Sequence, residues 1–269
     1  MKTRAITAFF FTLVMLASFF GGPYVFTGFY LLLSSIALLE FYKLVSSVGI
    51  RPEPWLGLVL AVLIFLSTAA YRLGLFDSRY LLLLIPLVFL VFLFELFKKK
   101  DNPFAHIGFT FLGLIFVTLP FSLFYSLGFL QGDTRFSFHL PLAFMLFLWA
   151  NDTGAYLFGM RFGKHKLFER HSPKKSWEGF FGGVLTALLV AWLISLKFTE
   201  IHLPVWLGMA ALIGCFGTLG DLVESMLKRS LDAKDSGSFL PGHGGFLDRF
   251  DGLLMAAPMV YVYLSLLLS

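Results

Sequence analysis

Residues 80–97 read YLLLLIPLVFLVFLFELF, an eighteen-residue run in which Glu95 is the one charged side chain. A helix crosses the hydrocarbon core of a bilayer with about 20 apolar residues, in a range of roughly 17–25, so this run has the length of a membrane span. The whole 269-residue chain has the same character, with 58% hydrophobic residues, 14% charged residues and a mean hydropathy of +0.84. Because soluble domains carry about 25% charged residues, the composition indicates a membrane protein.

Apolar runs of this kind recur along the chain and are separated by short polar connections. We therefore predict an all-α, polytopic integral membrane protein with about nine transmembrane helices and cytoplasmic polar loops. The expected spans lie near residues 5–20, 24–45, 55–71, 80–97, 107–130, 140–158, 180–196, 203–226 and 253–268.

The distribution of basic residues predicts the orientation of these spans, since cytoplasmic loops carry an excess of Lys and Arg. With the N-terminus inside, only four of the 21 basic residues face outward: Arg72, Arg79, Arg135 and Lys197. The polar loops 159–178 and 227–251 then share the cytoplasmic face. We expect residues 1–139 to form packing and lipid-facing helices and residues 140–269 to form the catalytic region, in a bacterial inner membrane with the site facing the cytoplasm.

The densest polar stretch is SMLKRSLDAKDSGSFLPGHGGFLDRFD, residues 225–251. It combines cations, carboxylates and glycines, which permit close backbone approach and positive φ angles. Asp248 and Asp251 offer the hard oxygen ligands that suit Mg²⁺. The stretch therefore predicts a site for a polyanion such as phosphate together with a metal ion.

Two carboxylates at the cytoplasmic end of the eighth span extend this prediction. Asp221 and Glu224 are three residues apart, so they share one face of a helix with Lys228. Glu224 and Lys228 could form an ordinary ion pair, whereas Asp221 has no cation at three- or four-residue spacing and is a candidate metal ligand. Gly220 would allow another helix to approach closely.

Other polar residues near the membrane leave structural and functional interpretations open. Asp152 lies within an apolar helix, where charge costs about 2.5–3.5 kcal/mol or more, and packing and function are equally good explanations. For Glu40 and Glu95 we favour a structural role, in which each carboxylate reaches water or pairs with Lys43 or Lys98.

The loop HSPKKSWEG, residues 171–179, leads into the seventh span. Ser172 and Pro173 predict a helix start, with serine as the N-cap and proline at the first helical position. Lys174 and Lys175 are unfavourable there for the helix dipole unless an anion binds beside them. Membrane topology alone also explains the two lysines.

Together these motifs resemble the phosphatidate cytidylyltransferases, or CDP-diacylglycerol synthases. The resemblance rests on Ser225-x-x-Lys228-Arg229, Lys234-Asp235, Pro241-Gly242-His243-Gly244-Gly245 and Asp248-Arg249-x-Asp251. Upstream support comes from 151–156, 172–179 and 220–225, so the resemblance covers about residues 140–255.

The resemblance implies that CTP and phosphatidic acid become CDP-diacylglycerol and pyrophosphate with Mg²⁺, and leaves open a second metal or monovalent cation. The expected partners are CTP, phosphatidic acid and membrane lipids, with no nucleic acid and with a homodimer as one expected assembly. The expected metal ligands are Asp221 and Asp248, with Asp152, Glu224 and Asp251 as further candidates. The expected catalytic residues are Asp221, Asp248, Lys228, Arg229, His243 and Asp251. The expected substrate- and phosphate-binding residues are Lys174, Lys175, Lys234, Arg249, Ser225, Gly242, Gly244 and Gly245.

Two alternative functions compete with this one. A transporter could use membrane carboxylates as proton or cation relays, but its carboxylates should lie near the bilayer midplane, and here they cluster toward one face. Another enzyme of CDP-lipid metabolism, a CDP-alcohol phosphotransferase, would need the pattern D-G-x-x-A-R, whereas Asp251-Gly252 continues as Leu-Leu-Met-Ala.

Overall fold

The computed structural model describes residues 2–99, 101–130, 135–233, 236–237 and 245–268, and in them it confirms an all-α fold. The described residues form ten α-helices: α1 (Lys2–Phe20), α2 (Gly22–Ser46), α3 (Pro54–Arg72), α4 (Leu84–Leu96), α5 (Pro103–Gly113), α6 (Leu119–Ser126), α7 (His139–Phe162), α8 (Trp177–Lys197), α9 (Leu203–Ser230) and α10 (Asp251–Leu268). A 3₁₀ segment, Ser78–Leu83, precedes α4, and a π-helical segment, Leu114–Thr118, joins α5 to α6.

Seven helical segments in the described residues are long and apolar enough to cross a membrane. They are Gly22–Ser46, Pro54–Arg72, Ser78–Leu96, Pro103–Phe129, Trp177–Lys197, Leu203–Ser230 and Asp251–Leu268. The other two expected spans, α1 and α7, are helical but do not meet these criteria of length and apolar character. Within α1, the part Phe10–Phe20 is a shorter apolar helix. The polytopic fold is confirmed, while the count of nine spans is not exact.

The loop before α8 differs from its prediction. Residues Lys166–Phe168 (β1) and Ser172–Ser176 (β2) pair as an antiparallel hairpin, with Lys166 opposite Ser176 and Phe168 opposite Ser172. The helix start expected at Ser172 and Pro173 is therefore wrong. The N-cap is Ser176, whose hydroxyl accepts the Gly179 N–H at 3.1 Å. Starting the helix after both lysines keeps them out of its first turn, where Glu178 instead suits the dipole.

The chain divides into two compact units. The first comprises residues 1–136 and 231–249, with α1 to α6 as its helices. An aromatic cluster on α2 and α6 fills its interior, where the Phe26 and Tyr30 rings lie 4.5 Å apart and Tyr30 lies 4.9 Å from Phe124. The stretch 231–249, the middle of the densest polar loop, thus belongs with these helices. That catalysis belongs to residues 140–269 remains a prediction.

Buried carboxylates in the first unit have partners that sequence spacing did not predict. Glu95 is 1% exposed, and its Oε1 lies 3.0 Å from Nδ1 of His106 on α5. Lys98 instead pairs with Glu53. Both pairs join segments that are apart along the chain, so local spacing could not identify them.

Glu40 on α2 is also buried in the first unit. It is 8% exposed, and its Oε2 accepts the backbone N–H of Leu247 at 2.8 Å across 207 residues of sequence. The expectation that Glu40 reaches water or pairs with Lys43 is therefore wrong, because the carboxylate is buried against a distant loop and Lys43 is exposed.

The second unit comprises residues 137–230 and 250–269, with α7 to α10 and the hairpin. Helices α7 and α8 meet at glycines. A Cβ at Gly182 would overlap the Phe158 side chain, and one at Gly183 would lie 2.7 Å from the Asn151 carbonyl oxygen. Small residues of this kind let membrane helices approach closely, so these glycines set the α7–α8 spacing.

Gly182→Ala should lower the thermal stability of the protein in detergent, because overpacking a tight interface costs about 1–3 kcal/mol. The matched control is Gly108→Ala on α5, since a Cβ there meets nothing within 4 Å. Unfolding followed by tryptophan fluorescence should separate the two variants. A Gly182→Ala protein as stable as the Gly108→Ala protein would contradict the close α7–α8 packing.

Candidate active site

Three carboxylates converge in the second unit at the cytoplasmic end predicted for α9. One oxygen from each of Asp221, Glu224 and Asp251 can be chosen so that all three lie within 4.8 Å of one another. Asp221 and Glu224 occupy one face of α9, and Asp251 is the first residue of α10. Three of the five expected metal ligands are therefore brought together.

The packing of α10 against α9 explains this convergence. A Cβ at Gly220 would overlap the backbone carbonyl of Asp251, whose carbon would lie 3.1 Å away. The expectation that Gly220 admits another helix is thus confirmed. The Asp251 side chain is held locally, since its Oδ1 accepts the Gly252 N–H at 2.6 Å.

Asp221 has a cationic partner that comes from β2. Nζ of Lys175 lies 2.6 Å from Asp221 Oδ2 and donates to the Thr218 carbonyl oxygen at 3.2 Å. The expectation that Asp221 is uncompensated is therefore wrong, because its cation lies 46 positions away in the sequence and only the fold brings it near. The lysine of the hairpin and the aspartate of α9 form one charged pair.

This pair lines a cavity of about 480 Å³ in the second unit. Asp152, Lys174, Lys175 and Asp221 supply charged side chains to the wall, while Tyr156, Met160, Leu167 and Phe180 supply apolar and aromatic surface. Asp152 thus shares a cavity with Asp221. A wall that combines charge with apolar surface suits a ligand that is itself amphiphilic.

Glu178 and His165, which sequence reasoning did not select, hold the hairpin in place. Glu178 Oε2 accepts the backbone N–H groups of Lys164 and His165 at 3.1 and 3.2 Å. Its Oε1 lies 2.6 Å from His165 Nδ1. Since Glu178 is in the first turn of α8, these bonds fix the hairpin that carries Lys174 and Lys175. The contacts of Glu178 and His165 could have been predicted only if the hairpin had been recognised in the sequence.

The remaining α9 residues of the predicted site follow Asp221 along the helix. Glu224 is fully buried and pairs with Lys228 at 2.7 Å, so the ordinary ion pair considered for these residues exists. The Ser225 hydroxyl donates to Asp221 Oδ1 at 3.3 Å. Arg229 is exposed near the end of α9.

Residues 231–249 belong to the first unit. The structure describes three of the expected site residues in this stretch: Gly245, Asp248 and Arg249. Asp248 Oδ2 accepts the N–H groups of Ser236 and Gly245 at 3.3 and 3.0 Å, and Arg249 is exposed. Asp248 is therefore a backbone acceptor within its own loop, and its role as a metal ligand remains a prediction. The other four expected residues lie outside the described residues: Lys234, Gly242, His243 and Gly244.

Comparison with known proteins identifies the family. The sequence model of the cytidylyltransferase family matches residues 2–267. The chain belongs to this family. The phosphatidate cytidylyltransferase of Staphylococcus aureus (strain COL) is 37% identical over 268 residues, covering 98% of this chain and 99% of the relative. Proteins of the same name from Staphylococcus epidermidis (strain ATCC 12228) and Staphylococcus haemolyticus (strain JCSC1435) are each 35% identical, with the same coverage.

This membership confirms the resemblance that the polar motifs indicated and extends it over the N-terminal helices. As a cytidylyltransferase family member with several apolar helices, the chain is a nucleotidyltransferase and an integral membrane protein. The transporter alternative is set aside by the same finding.

Lys228→Met should destabilise this cytidylyltransferase family protein by about 3–5 kcal/mol, because removing one partner leaves the other charge buried. Glu224 has a side-chain exposure of 0% and Lys228 of 13%, so water cannot readily replace the missing partner. Denaturant unfolding in detergent would measure the loss.

The double variant Lys228→Met/Glu224→Gln should recover much of that stability, since it removes both charges. Equal stability of Lys228→Met and the wild-type protein would show that the ion pair does not stabilise α9.

Proposed function

We propose that this chain is a phosphatidate cytidylyltransferase, which transfers CMP from CTP to phosphatidic acid and releases CDP-diacylglycerol and pyrophosphate. The observation that carries the proposal is the cavity of the second unit, where Asp221, Lys174 and Lys175 face apolar side chains. Such a wall matches a substrate with an anionic head group and acyl chains. Membership in the cytidylyltransferase family and the names of the relatives support the same reaction.

The reaction joins two anions and needs little proton transfer. A phosphate oxygen of phosphatidic acid attacks the α-phosphorus of CTP, and the bond to the bridging oxygen of pyrophosphate breaks. Since the second pKa of a phosphomonoester is about 6, the attacking oxygen is already anionic at neutral pH. The protein must therefore position the phosphates and neutralise their charge, as in other phosphoryl transfers.

Lys174 and Lys175 are suited to that task. Both line the cavity, and the hairpin bonds of Glu178 hold the strand that carries them. The Lys175 side chain is 24% exposed, and its ammonium group is paired with Asp221. A phosphate that enters the cavity would therefore compete with that carboxylate for the ammonium group. We propose that these lysines bind phosphate oxygens of the substrates.

Asp221, Glu224 and Asp251 fit a divalent cation. Oxygens bound to one Mg²⁺ at about 2.1 Å can lie at most about 4.2 Å apart, and the three carboxylates offer atoms within 4.8 Å of one another. A small side-chain adjustment would bring them to that spacing. We propose that they hold Mg²⁺, which when bound would neutralise phosphate charge, with Asp152 on the cavity wall as a further candidate ligand.

The positive-inside distribution of Lys and Arg supports a cytoplasmic orientation for the polar loops. We propose a bacterial inner membrane, CTP entry from the cytoplasm and phosphatidic acid entry from the inner leaflet. A homodimer stays an untested prediction.

The reaction is tested with purified protein, phosphatidic acid, Mg²⁺ and CTP labelled at the α-phosphate. Label should pass into a chloroform-extractable CDP-lipid only when both phosphatidic acid and Mg²⁺ are present. A folded protein that binds CTP but labels no lipid would point to another acceptor, and one that binds no CTP would refute the cytidylyltransferase activity.

Asp221→Asn should abolish Mg²⁺-dependent turnover while the protein stays folded, because it removes a carboxylate charge from the proposed metal site. The control is Glu200→Gln, which changes an acid paired with His139 away from the cavity lining. Initial rates across a Mg²⁺ titration are the measurement. A folded Asp221→Asn enzyme with wild-type rates would remove Asp221 from the site.

Lys175→Met should lower kcat/KM by roughly 100-fold, since removing a charged hydrogen-bond donor costs about 3 kcal/mol. Lys197→Met, at the opposite end of α8, serves as the matched control. Lys175→Arg should recover part of the rate because it restores the positive charge. Unchanged kinetics in Lys175→Met would show that the lysine does not bind substrate and serves only membrane topology.

A further inference from the structure

Asn151 is a buried amide in the second unit that the proposed reaction does not use. It lies on α7 and is 1% exposed, and its Nδ2 donates to Thr218 Oγ1 of α9 at 3.4 Å. The Thr218 hydroxyl in turn donates to the Gly214 carbonyl oxygen at 3.0 Å. Because a hydroxyl has one proton and this one is given to Gly214, Thr218 can only accept from Asn151. The bond therefore needs the amide nitrogen on this side.

Two glycines make room for the amide where α7, α8 and α9 meet. A Cβ at Gly183 of α8 would lie 2.7 Å from Asn151 Oδ1, and one at Gly214 of α9 would lie 3.3 Å from it. Among the described residues, Oδ1 has no hydrogen-bond partner. A buried acceptor without a partner costs stability, and an apolar side chain of similar size would avoid that cost. Packing alone therefore does not explain the amide.

A chain of contacts leads from Asn151 to the cavity. In the described part of the second unit, Thr218 lines the cavity and Asn151 does not. The Thr218 carbonyl oxygen accepts from Nζ of Lys175 at 3.2 Å, and the same ammonium group lies 2.6 Å from Asp221 Oδ2. The bond from Asn151 holds Thr218 against α7, so it also fixes an acceptor that sets the position of the Lys175 ammonium group.

We propose that Asn151 is a positioning residue for phosphate binding, because it acts through Thr218 to hold Lys175 where a substrate phosphate would meet it. The inference rests on the proposed function and deepens it, since it assigns the placement of a phosphate-binding lysine to a buried amide on α7. Asn151 does not itself touch substrate. Its neighbour Asp152 lines the cavity and offers a different route by which a change at Asn151 could alter the rate.

The test is a double-mutant cycle between Asn151→Leu and Lys175→Met, with kcat/KM measured for CMP transfer to phosphatidic acid. Leucine is close to asparagine in size and has no amide. With Lys175 present, Asn151→Leu should lower kcat/KM by about fivefold, the scale of one neutral hydrogen bond. In the Lys175→Met protein the same change should cost less than about twofold, because the positioned group is gone. Equal losses in both backgrounds would overturn the proposal and favour Asp152 or general packing.

Substitutions at Thr218 test the route. Thr218→Val removes the other end of the bond and should match Asn151→Leu, whereas Thr218→Ser keeps the hydroxyl and should stay within about twofold of wild type. Thr186→Val is the matched control, because that hydroxyl donates to the Gly182 carbonyl oxygen within α8, and its kcat/KM should equal the wild-type value. Wild-type rates in Thr218→Val would contradict the route. If Asn151→Leu does not fold, Thr218→Val completes the same cycle with Lys175→Met.

Chemical labelling of lysine provides a readout that needs no turnover. Reductive methylation of the purified protein, read by mass spectrometry, compares Lys175 with the adjacent Lys174. Relative to Lys174, Lys175 should react faster in Asn151→Leu than in wild type, because its ammonium group loses a fixed acceptor, and Thr186→Val should leave the ratio unchanged. An unchanged ratio in Asn151→Leu would overturn the proposal. If the wild-type protein labels no lipid, the proposed function fails, and the methylation ratio still shows whether Asn151 positions Lys175.

Discussion

A carboxylate at the edge of a bilayer must find a partner, and the described structure is organised by that constraint. Water is scarce there, and an unpaired buried charge costs several kcal/mol. Asp221 meets Lys175, Glu224 meets Lys228, and Glu95 meets His106. Glu40 meets a backbone N–H. Each pairing also fixes the position of the element that supplies the partner.

Glycines determine how closely the elements that carry these groups can approach. Gly220 admits the start of α10 beside α9, so Asp251 reaches the face of Asp221 and Glu224. Gly182 and Gly183 bring α8 against α7. Gly237 and Gly245 lie against Glu40. The glycines thus serve packing at least as much as turn formation.

The position of the two lysines before α8 shows how local electrostatics selects structure. Ser172 and Pro173 satisfy the preferences of a helix start, yet two lysines in the first turn would oppose the helix dipole. The chain forms a hairpin through this stretch and begins the helix at Trp177, with Glu178 in the first turn. The same hairpin places Lys175 beside Asp221. The electrostatic preference at the start of α8 therefore also affects the candidate site.

Composition and the length of the apolar runs were enough to predict an all-α membrane protein, because a bilayer permits few backbone arrangements. The polar motifs were enough to predict the family, and the i, i+3 spacing placed Asp221 and Glu224 on one face. Only the tertiary structure supplied the partners of the buried charges. Lys175 and Asp221, or Glu40 and Leu247, are far apart along the chain, and no periodicity relates their positions. Such contacts depend on how helices pack, which the sequence specifies through many weak interactions at once and not through local spacing.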